Sequence, residues 1–256
     1  MQQKGAQVAF RHTGLVYNRD GQAVRACADV DFTVPAGCSA AVIGPSGCGK
    51  SSLLLMAAGL LEPTDGEVLV NGHPLAGPRR ETAFIPQDLG LFPWKTVLQN
   101  AMAGLRFHGM PKAAAAQRAR EALEAVGLEG FERAYPKDLS GGMRQRLALA
   151  RGLAIDADLL LMDEPLSAID ALLREDLQDM LLDFWRRSAR TQVLVTHSIE
   201  EAVYLGQVIV VFSDRPATVA CCLDNPRVGT PDWRDSDGFA AQCRAVREAL
   251  ARAVDR

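Results

Sequence analysis

Ala40-Ala-Val-Ile-Gly-Pro-Ser-Gly-Cys-Gly-Lys-Ser51 sets a short apolar run against a glycine-rich turn and a Lys-Ser pair. Gly44–Ser51 matches the spacing G-x-x-x-x-G-K-[ST] in full. The context fits as well, since Ala40–Ile43 reads as a strand and Ser51–Leu61 as a helix ending near Gly59. The chemistry of the spacing is specific. Glycines let the backbone curl so that successive N–H groups point inward at phosphate oxygens. The helix beginning near Lys50 adds the positive end of its dipole. Gly44, Pro45, Ser46, Gly47, Cys48, Gly49, Lys50, Ser51 and Ser52 are therefore expected to line a nucleotide site. Within it the Lys50 ammonium meets the β and γ phosphates, and the Ser51 hydroxyl ligates Mg²⁺. Cys48 lies beside this cation, so its thiol is expected to be acidified and reactive.

Such a site needs an acidic group at the end of a buried strand. Leu159-Leu-Leu-Met-Asp163-Glu164-Pro165 supplies two. Asp163 is expected to hold Mg²⁺ through water, and Glu164 to polarise the attacking water. The uninterrupted apolar run before them reads as a centre strand covered on both faces.

Outward from these anchors the chain divides in three. Val8–Val16, Ala28–Val34 and Gly66–Val70 read as strands, with Asn71-Gly72 as a turn and Thr82–Ile85 as a further short strand. From Thr96 to Ile155 the composition shifts to helix formers, interrupted at Gly109-Met-Pro111 and Tyr135-Pro136. Ser140 is placed to cap the last of these helices. Alternation then returns: a helix over Ile169–Ala189, a strand over Gln192–Thr196, a helix over Ile199–Leu205 and a strand over Val208–Phe212. A weaker strand over Ala217–Leu223, a polar loop and a terminal helix over Phe239–Val254 follow. Strands separated by helices imply a parallel sheet.

Leu139-Ser-Gly-Gly-Met-Arg-Gln-Arg146 carries the decisive resemblance. It matches the signature motif of ABC ATPases, and with the motifs at Gly44–Ser51 and Leu159–Glu164 the chain resembles the ATP-binding subunit of an ABC transporter over about residues 8–212. The resemblance implies an α/β fold of the P-loop NTPase type: a RecA-like core with a mainly parallel sheet, an N-terminal antiparallel β subdomain and an inserted helical subdomain. It implies a single domain over 6–256, with the helical subdomain at about 88–158 and a C-terminal extension at about 224–256.

The resemblance also implies ATP and Mg²⁺ as cofactors, and a head-to-tail pair of cassettes. Ser140, Gly141, Gly142 and Gln145 of one subunit would then contact the ATP held by the other. Gln87 matches a loop that contacts Mg²⁺ and links the core to the helical region. Asp170 matches the loop that runs across the dimer interface, His197 the histidine that contacts the γ-phosphate, and Tyr17 the aromatic that stacks on adenine. Ser51, Gln87 and Asp163 form the implied metal set; Glu164, His197 and Lys50 form the implied catalytic set. Departures are mild: Ser52, Ile169, Ser198 and Cys38 stand where relatives usually carry Thr, Leu, Asp and Glu, and Ser198 is expected to weaken a local hydrogen bond.

Gly90-Leu-Phe-Pro-Trp94, Tyr135-Pro136 and Glu201-Ala-Val-Tyr204 resemble the importers for nitrate, sulfonate, taurine and related small solutes. The implied partners are a second ATP-binding subunit, membrane permease subunits and, indirectly, a substrate-binding protein. The implied location is the cytoplasmic face of the plasma membrane. Leu89, Leu91, Phe92 and Trp94 are expected to line a groove for a helix of the permease. An export or non-transport mechanical complex is the alternative.

Composition agrees with a globular ATPase and excludes other classes. The 256 residues are enough for one cassette, and 48% hydrophobic content suits a packed core. The balance of 28 Lys and Arg against 31 Asp and Glu leaves a net charge of −3, without the basic surplus of a nucleic-acid binder. The longest apolar run, Leu53–Leu61, is far short of the ~20 residues a spanning helix needs. Met1–Ala9 lacks a secretory apolar region. Six cysteines without a C-x-x-C pair are expected to be reduced, most of them small buried apolar groups.

Overall fold

A computed structural model describes residues 5–19 and 22–254. The apolar tetrads and pentads along the chain become the inner strands of a six-stranded sheet. Its strands are β3 (Ser39–Ile43), β6 (Thr82–Ile85), β7 (Leu159–Asp163), β8 (Thr191–Val195), β9 (Val208–Phe212) and β10 (Val219–Asp224). Their order is β10-β9-β3-β8-β7-β6. All neighbours run parallel except β10, which pairs antiparallel with β9 at the edge.

Because successive side chains of a strand point to opposite faces, a continuous apolar run feeds two cores at once. On one face Ile43, Ile85, Leu160, Met162, Leu194 and Val211 join helices that include α4 (Gly141–Ala154), α5 (Ala171–Ser188) and α7 (Asp237–Val254). On the other, Val42, Leu161, Val195 and Phe212 join α1 (Lys50–Ala57) and an antiparallel sheet. That second sheet has the order β2-β1-β4-β5, from β1 (Val8–Arg19), β2 (Gln22–Val34), β4 (Asp65–Val70) and β5 (His73–Pro74). β7 is covered on both faces, as its sequence requires, but sits one strand in from the β6 edge.

The β1–β2 ribbon is longer than its apolar pattern suggests. Residues 22–25 are exposed, so no apolar period marks them, and register shifts between Phe10 and Val16 break the alternation of β1. The turn joining the two strands lies outside the described residues. Asn71-Gly72 forms the β4–β5 turn with both residues at positive φ, which glycine and asparagine tolerate best.

α2 (Val97–Phe107) and α3 (Lys112–Ala125) precede α4, so three helices are inserted between β6 and β7. Thr96 opens α2 with a reciprocal capping box to Gln99, and Pro111 directly precedes α3. α5 begins at Ala171, two residues later than its apolar period, because Asp170 is spent as the cap: its side chain accepts from Leu173 N–H at 3.1 Å. α6 (Ile199–Leu205) follows β8.

The C-terminal segment packs on the core. Trp233 and Val246 are buried, Asn225 Nδ2 donates to the Val203 and Gly206 carbonyls at 2.7 and 2.8 Å, and the Arg234 guanidinium lies 3.9 Å over the Tyr204 ring. No helix among the described residues is long and apolar enough to cross a membrane.

Candidate nucleotide site

Four parallel strands end at the same rim of the main sheet, and each carries one of the expected groups just past its last residue. β3 runs into Gly44–Ser51, β6 into Gln87, β7 into Glu164 and β8 into His197. This is the crevice at the carboxyl ends of the strands where open α/β sheets bind ligands.

The glycine-rich segment curls around Lys50. Gly47 and Gly49 have φ of 74° and 133°, and a Cβ on Gly49 would stand 2.8 Å from the Ala26 carbonyl oxygen. Lys50 is only 7% exposed, and its Nζ donates to the Gly44 and Pro45 carbonyls at 2.9 and 2.7 Å. The ammonium is thus held centrally in the loop before any phosphate arrives. A cavity of about 570 Å³ opens beside it, lined by Tyr17, Lys50, Ser51, Gln87, Glu164 and Arg215 among others. The Tyr17 hydroxyl lies 3.0 Å from Ser52 Oγ, so its ring stands at the edge of the same cavity.

Asp163 is 4% exposed and its Oδ1 has no hydrogen-bond partner. Burial raises its pKa, while the Ser51 hydroxyl and the Lys50 charge oppose the rise. Gln87 and Asp163 also share a smaller cavity of about 380 Å³. A buried, unpartnered carboxylate oxygen beside a serine hydroxyl is the donor set a hard divalent cation takes.

Glu164 has a φ of 49°, a conformation that costs a non-glycine residue about 1–3 kcal/mol. Its N–H donates to the Val195 carbonyl at 2.9 Å, and its Oε2 stands 3.3 Å from His197 Nδ1. The strained residue and the histidine are thereby joined across adjacent strand ends.

The signature segment lies elsewhere. Ser140 caps α4, accepting from Met143 N–H at 3.2 Å, and none of Ser140, Gly141 or Gly142 lines the larger cavity. Gln145 does not share their exposure. It is 2% exposed; its Nε2 donates to the Glu164 carbonyl at 2.9 Å, and its Oε1 accepts from Ala168 N–H at 2.8 Å. Within this chain its amide is engaged beneath Glu164. Asp170 is exposed at the start of α5.

One expectation changes. Cys48 is fully buried, and burial raises its pKa despite the nearby Lys50 charge, so it is not an activated thiol. Ser198 caps α6, accepting from Glu201 N–H at 3.2 Å.

Sequence reasoning missed three residues that the fold brings in. Arg215 donates to the Gly47 carbonyl through Nε at 3.0 Å and also through Nη2. Arg151 ties α4 to the segment after Gln87, donating to the Leu89 and Gly90 carbonyls at 2.6 and 2.5 Å. Glu201 lies buried behind the His197 loop. The first two contacts span 168 and 61 residues of sequence and leave no local pattern.

The family described as ABC transporter matches residues 27–167, more than half of the chain. The chain belongs to that family. This cassette is 44% identical over 214 residues to the taurine import ATP-binding protein TauB of Burkholderia pseudomallei, covering 84% of this chain and 82% of the relative. It is 44% identical over 204 residues to an uncharacterized ABC transporter ATP-binding protein of Methanocaldococcus jannaschii, covering 80% and 76%. Among solved structures, the dimeric post-hydrolysis state of the ATP-binding cassette MJ0796, bound to ADP and Pi, superposes with a TM-score of 0.79. That match has 29% identity and covers 85% of this chain and 98% of the other.

Proposed function

We propose that the cassette works as the motor of an importer for a small anionic or organic solute, of the nitrate, sulfonate or taurine kind, from the cytoplasmic face of the membrane. It is an ATPase of the ABC transporter family, and its reaction is ATP + H₂O to ADP + phosphate. The observation that carries the reading is the convergence of the Gly44–Ser51 loop, Gln87, Glu164 and His197 at one rim, with the Ser140 cap outside the cavity there.

Binding comes first. Backbone N–H groups of the loop, the start of α1 and Lys50 meet the phosphates, while Tyr17 offers its ring to the base. Ser51, Asp163 and Gln87 would hold Mg²⁺, which the orphaned Asp163 oxygen fits. Bound there, it would neutralise phosphate charge. Glu164 then orients the attacking water and accepts its proton. His197 and Lys50 stabilise charge on the transferring phosphoryl group. His197 reaches Glu164 from the next strand, so the general base and the phosphate-sensing group are set by one sheet register.

Ser140, Gly141 and Gly142 complete the site in a head-to-tail dimer. They line no part of their own chain's cavity, and the helix they open would present free N–H groups to a partner's γ-phosphate. The dimeric solved cassettes support this assembly. ATP then closes the pair, and hydrolysis removes the bridging phosphate and lets it reopen.

Force passes through the inserted helices, at about 88–158, to the permease. Of the four residues expected in a docking groove, Leu89 and Leu91 pack inward against the core. Trp94 is 71% exposed beside Phe92, with ring centroids 5.7 Å apart, so these aromatics carry the docking role. The tail from about 224 braces the core.

Phosphate release from ATP by the purified chain tests the reading. Glu164→Gln is expected to retain ATP and accumulate a dimer on gel filtration. Full turnover in that variant refutes the role of Glu164. Mass spectrometry of solute carried by the native complex tests the substrate class.

A further inference from the structure

Glu201 has no part in the mechanism above, yet it is built into it. Its carboxyl is 4% exposed and closes a small ring of hydrogen bonds around the His197 backbone. Thr196 Oγ1 donates to Glu201 Oε2 at 2.8 Å. The Ser198 N–H donates to that same Thr196 oxygen at 3.0 Å, and the Glu201 N–H donates to Ser198 Oγ at 3.2 Å. Thr196 is in turn fixed to the end of β3, its N–H donating to the Val42 carbonyl at 3.2 Å. The Glu201 carboxyl thus grips Thr196 directly and Ser198 through the Thr196 hydroxyl, while the His197 ring stays 61% exposed, 3.3 Å from Glu164. Glu201 Oε1 is buried with no partner at all. The charged groups facing the carboxyl are Arg174 from α5, His197 and Glu164.

We propose that Glu201 is a positioning residue for hydrolysis, gripping Thr196 in its ionised form and thereby holding His197 in register with Glu164. The inference rests on the roles given above to His197 and Glu164. A hydroxyl bonded to a carboxylate is held about twice as strongly as one bonded to a neutral carboxyl. Ionised Glu201 therefore fixes the loop and protonated Glu201 loosens it. Burial pushes this carboxyl up to about 7, which places the change within the working range of the enzyme.

The test measures kcat and KM for ATP from pH 6 to 8.5 in the wild-type chain, Glu201→Gln, Thr196→Val and Glu164→Gln, with thermal melts to confirm folding. Glu201→Gln keeps the shape and the acceptor but is always neutral. Its kcat at pH 8 is expected to fall about tenfold, the ratio separating charged from neutral hydrogen bonds. Its rise between pH 6 and 8 is expected to flatten, and its KM to change less than about twofold, because Glu201 lines no part of the nucleotide cavity. Thr196→Val removes the same bond from the other side and is expected to behave alike. Wild-type kcat and pH profile in both folded variants overturn the proposal, as does a KM effect without a kcat effect. Loss of kcat with an unaltered pH profile also overturns it. Hydrolysis that survives unchanged in Glu164→Gln, or is absent from the wild-type chain, overturns the mechanism and this inference together.

Discussion

Replacing Gln145 by Leu separates two roles for the signature helix. Leu matches the size of the side chain but can neither donate nor accept. The Ala168 N–H loses its acceptor at 2.8 Å, while the Glu164 carbonyl loses its donor at 2.9 Å but keeps Ser167 N–H at 3.3 Å and Ser167 Oγ at 3.2 Å. One partly buried group is left unsatisfied, at a cost of about 1–3 kcal/mol. The lost donor falls on a residue already strained at a φ of 49°. For a chain of this length about 1 kcal/mol moves the melting temperature by ~2–4 °C, so a fall of about 2–12 °C is expected. The assay is thermal unfolding without nucleotide, at protein concentrations low enough to keep the chain monomeric. A contact made to a partner's ATP gives a different result: an unchanged nucleotide-free melt and a loss confined to ATP-dependent dimerisation. That outcome would refute the assignment of Gln145 to its own chain.

Trp94→Ala is expected to leave phosphate release by the isolated chain within about twofold and to weaken co-purification with the permease by roughly 30-fold, the loss typical of a truncated aromatic anchor. Cys48 is expected to react slowly with thiol reagents at pH 7 in the folded chain, with ATP adding little protection; rapid, ATP-protected inhibition that vanishes in Cys48→Ala would contradict its burial. Glu201, with its pKa raised to about 7, binds more protons folded than unfolded between its ordinary carboxylate range and pH 7. Stability should therefore fall as pH rises from about 4.5 to 7, by an amount on the order of 3 kcal/mol. Glu201→Gln should lack that component, so its melt relative to wild type should improve steadily from pH 5 to 8.

What could be read in advance follows from how far each interaction reaches along the chain. The phosphate loop is legible because eight contiguous residues carry its whole geometry. Asp163 and Glu164 are legible because an apolar run fixes the strand that ends at them. The bonds Gln145 makes within its own chain are less legible, because the motif around it says nothing of its helical face. On α4 it shares a buried stripe with Ala148, Leu149 and Gly152, three, four and seven residues on, and that period was the available signal. Cys48 shows the converse: nearness to a lysine in sequence says nothing of which way a thiol points, and this one points into the core beneath the loop. Arg151 and Arg215 act through groups that only the fold brings near, whereas Glu201 acts on Thr196 and Ser198 close by in sequence, through a turn that no periodicity marks.

The two legs of the helical insert are fastened unequally. The returning leg, just before β7, is pinned to the body of the molecule at the end of the sheet away from the nucleotide. Arg190 donates to the Ile155 carbonyl at 2.8 Å and to Asp156 at 2.7 Å, Arg79 holds Asp158 through both carboxylate oxygens, and the Asp158 carbonyl accepts from Ala6 and Thr191. The outgoing leg, just after Gln87, is tied by Arg151 to α4, which belongs to the insert itself. The insert is therefore fastened to the core at Asp156–Asp158, while its outgoing leg is fastened chiefly to its own last helix, so a shift of the backbone after Gln87 would be passed to α4 through the two Arg151 bonds before it reached the sheet.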